Sequence, residues 1–185
     1  MEGDTKLLRY LWNNSHHTPF EMAGMTIEVQ APIFVFREWH RHRTQSYNEL
    51  SARYTELPDL YYVPSVERLM AAQQSNSNKQ ASEDGLSELQ ASNLAYDIKD
   101  TYRVIRESYE NLLRLGVARE VARVIVPVGQ YSRMRASANL RNWLHFATLR
   151  TGRGAQWEIQ QYAKEVCKLI EELFPRTYAL WRSNG

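Results

Sequence analysis

A chain of 185 residues has the length of one compact domain, and 43% hydrophobic with 11% aromatic residues is enough to build a core, which excludes wholesale disorder. With 23 Lys and Arg against 21 Asp and Glu the net charge is +2, too near neutrality for a protein that coats a polyanion or a membrane; the arginines cluster instead at 37–43, 133–141 and 150–153, as discrete phosphate sites require. The lone Cys167 excludes an intrachain disulfide and a multi-cysteine zinc site, no apolar run suits a transmembrane span, and the polar, acidic start is unlike a signal peptide, so a reducing, cytoplasmic setting is expected.

Residues 6–13 read as a short helix, ended by Asn13, Asn14 and Ser15 with Pro19 beyond. From 25 to 31 the pattern alternates, with Ile27, Val29 and Ala31 on one face and Thr26, Glu28 and Gln30 on the other, which specifies a half-buried strand. Pro32 suits the first turn of a helix, and 33–42 runs from an apolar start to a charged, aromatic finish. Residues 49–54 follow as loop or strand, and 60–63 as a short strand before Pro64. The stretch 71–85 is dominated by Gln, Ser, Asn and Ala, has nothing to fill a core, and reads as a mobile surface insertion.

After Gly85 comes the longest helix. Leu94, Ile98, Tyr102, Ile105, Tyr109 and Leu112 recur every three or four residues, and Gly116 ends it. That stripe could pack on a sheet or on a partner subunit. Residues 119–125 form a short helix halted by Pro127, and 131–137 alternate as a strand carrying Arg133 and Arg135. Asn139 is a suitable N-cap for a helix to Arg150, broken at Thr151 and Gly152. A final amphipathic helix over 155–173 places Trp157, Tyr162, Val166 and Ile170 toward the core, with Cys167 a small core residue. Helices and strands mix without a βαβ rhythm, so the expected fold is α+β, a mixed or antiparallel sheet flanked by helices in a single domain over 1–185.

There is no glycine-rich phosphate loop and no nucleophile elbow, so a bound nucleotide must be held by side chains. The densest polar stretch is 37–54, with Arg37, Arg41, Arg43, Arg53, His40, His42 and several hydroxyls. As a positively charged helix end it would favour the helix dipole. Its guanidinium groups, which bind phosphate bidentately, make it equally a phosphate cradle. His40 and His42 do not make a metal site: a spacing of two puts them on different helix faces, and no third ligand is near. Ser51 could be read as a nucleophile, but no histidine or lysine base is evidently poised for it.

Arg41-His42-Arg43, seven residues and then Ser51 resemble the signature of flavin-dependent thymidylate synthases, and Tyr47 through Tyr54 extends it. Three more blocks resemble the same family in the same order: 16–21 (His-His-Thr-Pro-Phe-Glu), 119–123 (Arg-Glu-Val-Ala-Arg) and 155–161 (Ala-Gln-Trp-Glu-Ile-Gln-Gln). The resemblance covers about 7 to 180. It implies reductive methylation of dUMP to dTMP, with 5,10-methylenetetrahydrofolate giving the carbon and NADPH reducing FAD, in a homotetramer whose active sites are shared between subunits, with no nucleic-acid or membrane partner. Arg41, His42 and Arg43 would line the flavin site, Arg41 also reaching the nucleotide; Glu49 would touch both ligands, and Ser51 and Arg53 would hold the dUMP phosphate. His16 and Thr18 would contact FAD from a neighbouring subunit, and Asn139, Arg141 and His145 would face the flavin, the last two one turn apart. Arg123 would contact the nucleotide, as would the segments Glu38, Trp39, His40 and Leu50, Ala52, while Arg150 would polarise the uracil ring.

The sequence departs from the family pattern in three places. Glu38 stands where a glutamine is common, and a carboxylate cannot donate as an amide can. His145 stands where an asparagine also occurs, and the chain starts almost directly in its first helix, without the N-terminal strand segment usual in relatives. Two other readings compete. One is a nucleotide- or RNA-binding module using the Arg, Tyr and His clusters; the other is a truncated, catalytically impaired family member. Folate- and flavin-dependent methylation of uridine in RNA would share the cofactors, but the phosphate ligands around Ser51 favour a mononucleotide.

Overall fold

The computed structural model describes residues 2–74, 82–83 and 85–183. In chain order the elements are α1 (Glu2–Asn13), α2 (Thr18–Glu21), β1 (Gly24–Pro32), α3 (Ile33–Trp39), β2 (Ser46–Glu49), α4 (Val66–Met70), β3 (Gln73–Gln74), β4 (Ser82–Glu83), α5 (Glu88–Arg114) and α6 (Arg119–Ala122). A single 3-10 turn (Arg123–Ile125) leads to β5 (Tyr131–Asn139), and α7 (Leu140–Thr151), α8 (Trp157–Leu173) and α9 (Pro175–Ser183) complete the chain. The fold is therefore α+β, with a three-stranded antiparallel sheet in the order β1-β5-β2. Leu140 N–H donates to Ala23 O at 2.8 Å before one end of β1, and Ile33 N–H donates to Gln130 O at 2.9 Å after the other, which fixes the antiparallel register with β5. Most of the 71–85 insertion, namely 75–81 and 84, lies outside the described residues; at its edges β3 and β4 pair antiparallel.

The chain divides into two compact units, each assembled from separate stretches. The first comprises Met1–Glu28, Glu38–Asn48 and Arg135–Gly185. Its core is aromatic: Trp39 lies 4.5 Å from Phe146 between ring centroids and edge-on to Trp143, and all three rings are buried. The apolar stripe of α8 supplies Ile159, Ala163, Val166 and Ile170 to that core. Trp157, expected to face the core, is 48% exposed: it is the first residue of α8, and the buried positions begin at Glu158 and Ile159. Cys167 is buried on the same helix, and burial pushes its thiol up from the usual range. Asn139 caps α7 as expected, its side-chain oxygen accepting from Asn142 N–H at 2.9 Å. The helix α9, absent from the sequence reading, starts on Pro175 and ties back through Trp181 Nε1, which donates to Thr148 Oγ1 at 2.9 Å.

The second unit comprises Val29–Arg37 and Glu49–Met134. Here Pro32 ends β1 and does not enter the helix, where a missing N–H does no harm to the ladder. The short strand expected at 60–63 reduces to one bridge, Tyr61 opposite Gln130, flanked by Tyr62 N–H to Gly129 O at 2.9 Å. The long helix α5 begins on a capping box: Ser87 Oγ accepts from Gln90 N–H while Ser87 N–H donates to Gln90 Oε1 at 2.9 Å. Gly116, with φ +80°, terminates it in the left-handed conformation that favours glycine. Of its apolar stripe only Tyr109 is fully buried, Leu94 being 40% exposed, and Tyr102 stacks on Tyr61 at 4.8 Å. Among the described residues no helix is long and apolar enough to cross a membrane.

Candidate active site

The helix expected over 33–42 stops at Trp39. From there the chain turns tightly, with His42 N–H donating to Trp39 O at 3.0 Å and Gln45 N–H to His42 O at 3.1 Å. The Tyr47 hydroxyl lies within hydrogen-bond distance of the carbonyls of Trp39 (3.0 Å) and His42 (2.8 Å), so its one proton adds a further bond to the carbonyls that already close the turn. Burial pushes the Tyr47 phenol up to about 12, against the opposing charge of Arg150, so it stays a neutral donor. Gln45 completes the turn by accepting from Trp39 Nε1 at 3.0 Å. In the sequence Tyr47 stands out only as the start of the stretch that extends the family-like motif, and Gln45 only as one residue of a polar run; neither pattern shows that they hold this turn.

This turn presents Arg41, His42, Arg43 and Thr44 to a cavity of about 450 Å³, whose other wall is His145, Leu149 and Arg150 of α7. The spacing of α7 explains its share: positions 145, 149 and 150 lie on adjoining faces within two turns. Arg41 and Arg43 are exposed, and among the described residues neither guanidinium has a side-chain partner. That separates them from Arg135, Arg141 and Arg53, which are ion-paired to Glu28, Glu21 and Glu120. Two unpaired guanidinium groups beside a cavity are suited to a phosphate or pyrophosphate.

Arg150 is the most constrained cation of this unit. Its Nε–H donates to His42 Nε2 at 2.8 Å, Nη1 to Glu38 Oε2 at 2.9 Å and Nη2 to the Glu38 carbonyl at 2.9 Å. The Arg150 side chain is 15% exposed. His42 Nε2 is thus an acceptor, and the ring carries its proton on Nδ1. Burial, then the charges of Arg150 and His145, lower the His42 pKa to about 4, so the ring is neutral at pH 7. His145 sits 6.2 Å from His42 between ring centroids and is itself exposed.

The remaining expected residues of the first unit are more dispersed. Trp39 is fully buried, so its ring can support a site but not touch a ligand, and His40 packs its ring against Tyr47 at 4.7 Å. Asn139 is occupied as a helix cap, and Arg141 follows in the first turn of α7, paired with Glu21. His16 and Thr18 are exposed around the start of α2. In the second unit Glu49 ends β2, Leu50 N–H donates to Arg133 O at 2.8 Å, and Ser51 to Thr55 fold into a turn on the Ser51 carbonyl, with Ala52 half-buried inside it. Arg53 reaches Glu120 of α6 at 3.2 Å, and Arg123, exposed, opens the 3-10 turn that follows that helix. Among the described residues no three His, Cys, Asp or Glu side chains are grouped to hold a metal ion.

An α+β fold with an arginine- and histidine-lined cavity belongs to a protein whose site suits an anionic ligand, and known structures narrow the class. The fold matches that of a UMP/dUMP methylase, PolB from Streptomyces cacaoi, in its crystal structure bound with 5-Br UMP: TM-score 0.88 at 35% identity, covering 97% of this chain and 82% of that one. The same protein bound with 5-Br dUMP gives 0.87. The family model described as thymidylate synthase complementing protein matches residues 1–176. A flavin-dependent thymidylate synthase of Thermosipho melanesiensis is 43% identical over 178 residues, spanning 96% of this chain and 76% of that one. One from Streptomyces avermitilis is 40% identical over 192 residues, with 100% and 77% covered. The chain belongs to the flavin-dependent thymidylate synthase family.

Proposed function

We propose that this protein methylates dUMP to dTMP, drawing the carbon from 5,10-methylenetetrahydrofolate and two electrons from NADPH by way of FAD. The observation that carries the reading is Arg150, a largely shielded guanidinium fixed on Glu38 and His42 at the wall of a cavity that also holds two arginines without a side-chain partner among the described residues. Uracil C5 is a weak nucleophile. A fixed positive charge at the N3/O2 edge stabilises the negative charge that develops there as C5 attacks, and it does so without moving a proton. Arg150 is suited to this role because its anchors leave it no freedom to reorient.

The cavity fits a flavin nucleotide: Arg41 and Arg43 offer unspent guanidinium groups, and His42 and His145 offer flat ring faces and edges. When bound, the flavin supplies the hydride and relays the one-carbon unit. Asn139, Arg141, His145 and Glu49 would border it, with His16 and Thr18 contributed to a neighbouring subunit's site. Ser51 and Arg53 would hold the dUMP phosphate, with Arg123 and the main chain around Leu50 and Ala52 beside it. Arg53 would exchange its ion pair with Glu120 for that phosphate, a pair that is half-exposed and weak enough to yield. Ser51 acts here as a ligand: its hydroxyl accepts from Arg53 N–H at 3.4 Å, and no base adjoins it among the described residues.

A homotetramer sharing its sites belongs to this reading. It is supported by large apolar side chains left on the surface, such as Tyr96 at 71% and Val124 at 80% exposure. Sedimentation tests it: a monomer at micromolar concentration would remove the shared sites. The activity is tested by a visible spectrum for bound flavin and by tritium release from 5-tritiated dUMP with NADPH and methylenetetrahydrofolate, with UMP run in parallel. Folded protein showing neither flavin nor release from either nucleotide would sink the assignment.

A further inference from the structure

Glu38 offers Arg150 two acceptors of different kinds: a main-chain carbonyl held rigidly at the end of α3, and a side-chain carboxylate that is adjustable and charged. The helix end is itself fixed, because the next residue, Trp39, is fully buried. With His42 Nε2 as a third point, three acceptors surround one planar cation and determine its plane. A guanidinium has five N–H groups, so these bonds leave one on Nη1 and one on Nη2 unspent. The carboxylate is acceptor-only and its charge is already matched by Arg150 at 2.9 Å, which makes it a poor second grip on a nucleotide.

We propose that Glu38 is a positioning residue, which sets the plane of the Arg150 guanidinium and does not itself hold the substrate. The proposal deepens the thymidylate synthase reading and rests on it for its effect on turnover, whereas the geometry of the clamp stands independently. The carboxylate fixes Nη1, the carbonyl Nη2 and the neutral imidazole Nε, so that the two unspent N–H groups are aimed as a pair. Removing the carboxylate leaves the carbonyl and His42 in place, so Arg150 stays near its site but gains freedom to swing about the two remaining bonds.

The test combines turnover with a spectroscopic probe on the complete protein. In Glu38→Ala, kcat should fall by about tenfold to a hundredfold, the scale on which small misplacements of a catalytic group act. KM for dUMP should move by less than about threefold, because uniform binding is not what the clamp supplies. Glu38→Asp, which keeps the charge but draws it back by one methylene, should show the same loss and guards against a folding defect in the alanine variant. Glu38→Gln, which keeps an oxygen acceptor at full reach, should restore kcat to within about threefold of the parent. In an Arg150→Ala background, Glu38→Ala should add no more than about a twofold change, since a residue acting only through Arg150 has nothing left to position. Nitrogen NMR of labelled histidine should find His42 Nε2 as an unprotonated acceptor in the parent and in Glu38→Gln, and displaced in Glu38→Ala.

A direct grip on the nucleotide would instead raise KM for dUMP by the same factor with or without Arg150, and that result overturns the proposal. So does unchanged kcat in both Glu38→Ala and Glu38→Asp. If the parent protein shows no turnover at all, the functional reading fails, and the clamp is then judged by the His42 resonance alone: an Nε2 signal indifferent to Glu38→Ala refutes it.

Discussion

At the residue scale the arginines divide by what they touch. Arg103, on an open surface, is paired with Asp100 and Glu107 in bonds that contribute little, Arg41 and Arg43 stand exposed with no side-chain partner among the described residues, and Arg150, 15% exposed, is bonded on three sides. Replacing Arg150 with Ala should lower kcat for dUMP by about 10² to 10³, the effect of deleting one fixed stabiliser of developing charge, while the flavin spectrum is retained. Equal turnover in the variant would remove Arg150 from the mechanism. His42 carries a stability consequence. Its folded pKa of about 4 lies below the 6.5 of a free histidine, so between these pH values the unfolded chain takes up a proton that the folded protein refuses. Stability attributable to His42 is therefore complete above pH 6.5 and declines as pH falls toward 4, reaching a deficit of about 2 kcal/mol at pH 5. Urea unfolding at pH 7 and pH 5 should show that loss in the parent and not in His42→Gln, which isolates this group from the carboxylates titrating nearby. The sequence marks Arg41, His42 and Arg43 as candidates because their side-chain chemistry is unusual for a short stretch, whereas Arg150, isolated at a helix end, is marked only by the family resemblance. It did not expose the bond between Arg150 and Glu38, since the two lie 112 residues apart and nothing local marks them as partners.

At the element scale, local signals located what local physics builds. The alternation that ends at Ala31 gives β1, the Asn139 cap gives the start of α7, and Gly116 closes α5 where a left-handed residue is needed. The end of α3 was misplaced by three residues, because the turn after Trp39 is held by Gln45 and Tyr47, whose bonds form only once the chain has folded back. The strand at 60–63 shrank to a bridge for a related reason: its partner, Gln130, is distant in sequence and pairs at only one position. A prediction belongs to α5. Ser87→Ala removes the hydroxyl that accepts from Gln90 N–H, and should destabilise the protein by about 1 kcal/mol in chemical denaturation. Ser87→Asp should recover most of it, since aspartate caps equally well, and an alanine variant as stable as the parent would show that the box is not formed in solution.

At the scale of the whole molecule, neither compact unit is a continuous piece of chain, which no composition break in the sequence announces. The second unit draws Ala31, Pro32, Val35 and Phe36, all buried, from the short stretch Val29–Arg37, and the rest of its core from Glu49–Met134. Its edge is joined to that stretch by Ile33 N–H to Gln130 O at 2.9 Å and Phe34 N–H to Val128 O at 3.0 Å. A fragment limited to 49–134 lacks those side chains and those donors. It should show helix by circular dichroism, because α5 is long, but no cooperative thermal transition. A sharp transition in that fragment would mean that the core closes without Val35 and Phe36. Membership of the family was legible in the sequence because its motifs are short and local; the interleaving of the units was not, because it depends on which distant segments meet.

The lone thiol of α8 provides a built-in clock for such events. Cys167 is 8% exposed and the chain has 1 cysteine, so a thiol reagent can react with the protein at a single place, and only when α8 opens. The labelling rate at increasing reagent concentration should rise and then level off at the opening rate of that helix, without a chromophore or a second mutation. Adding dUMP should slow the labelling if nucleotide binding is linked to the folded state of α8, which turns one buried sulfur into a ligand-binding assay read by mass.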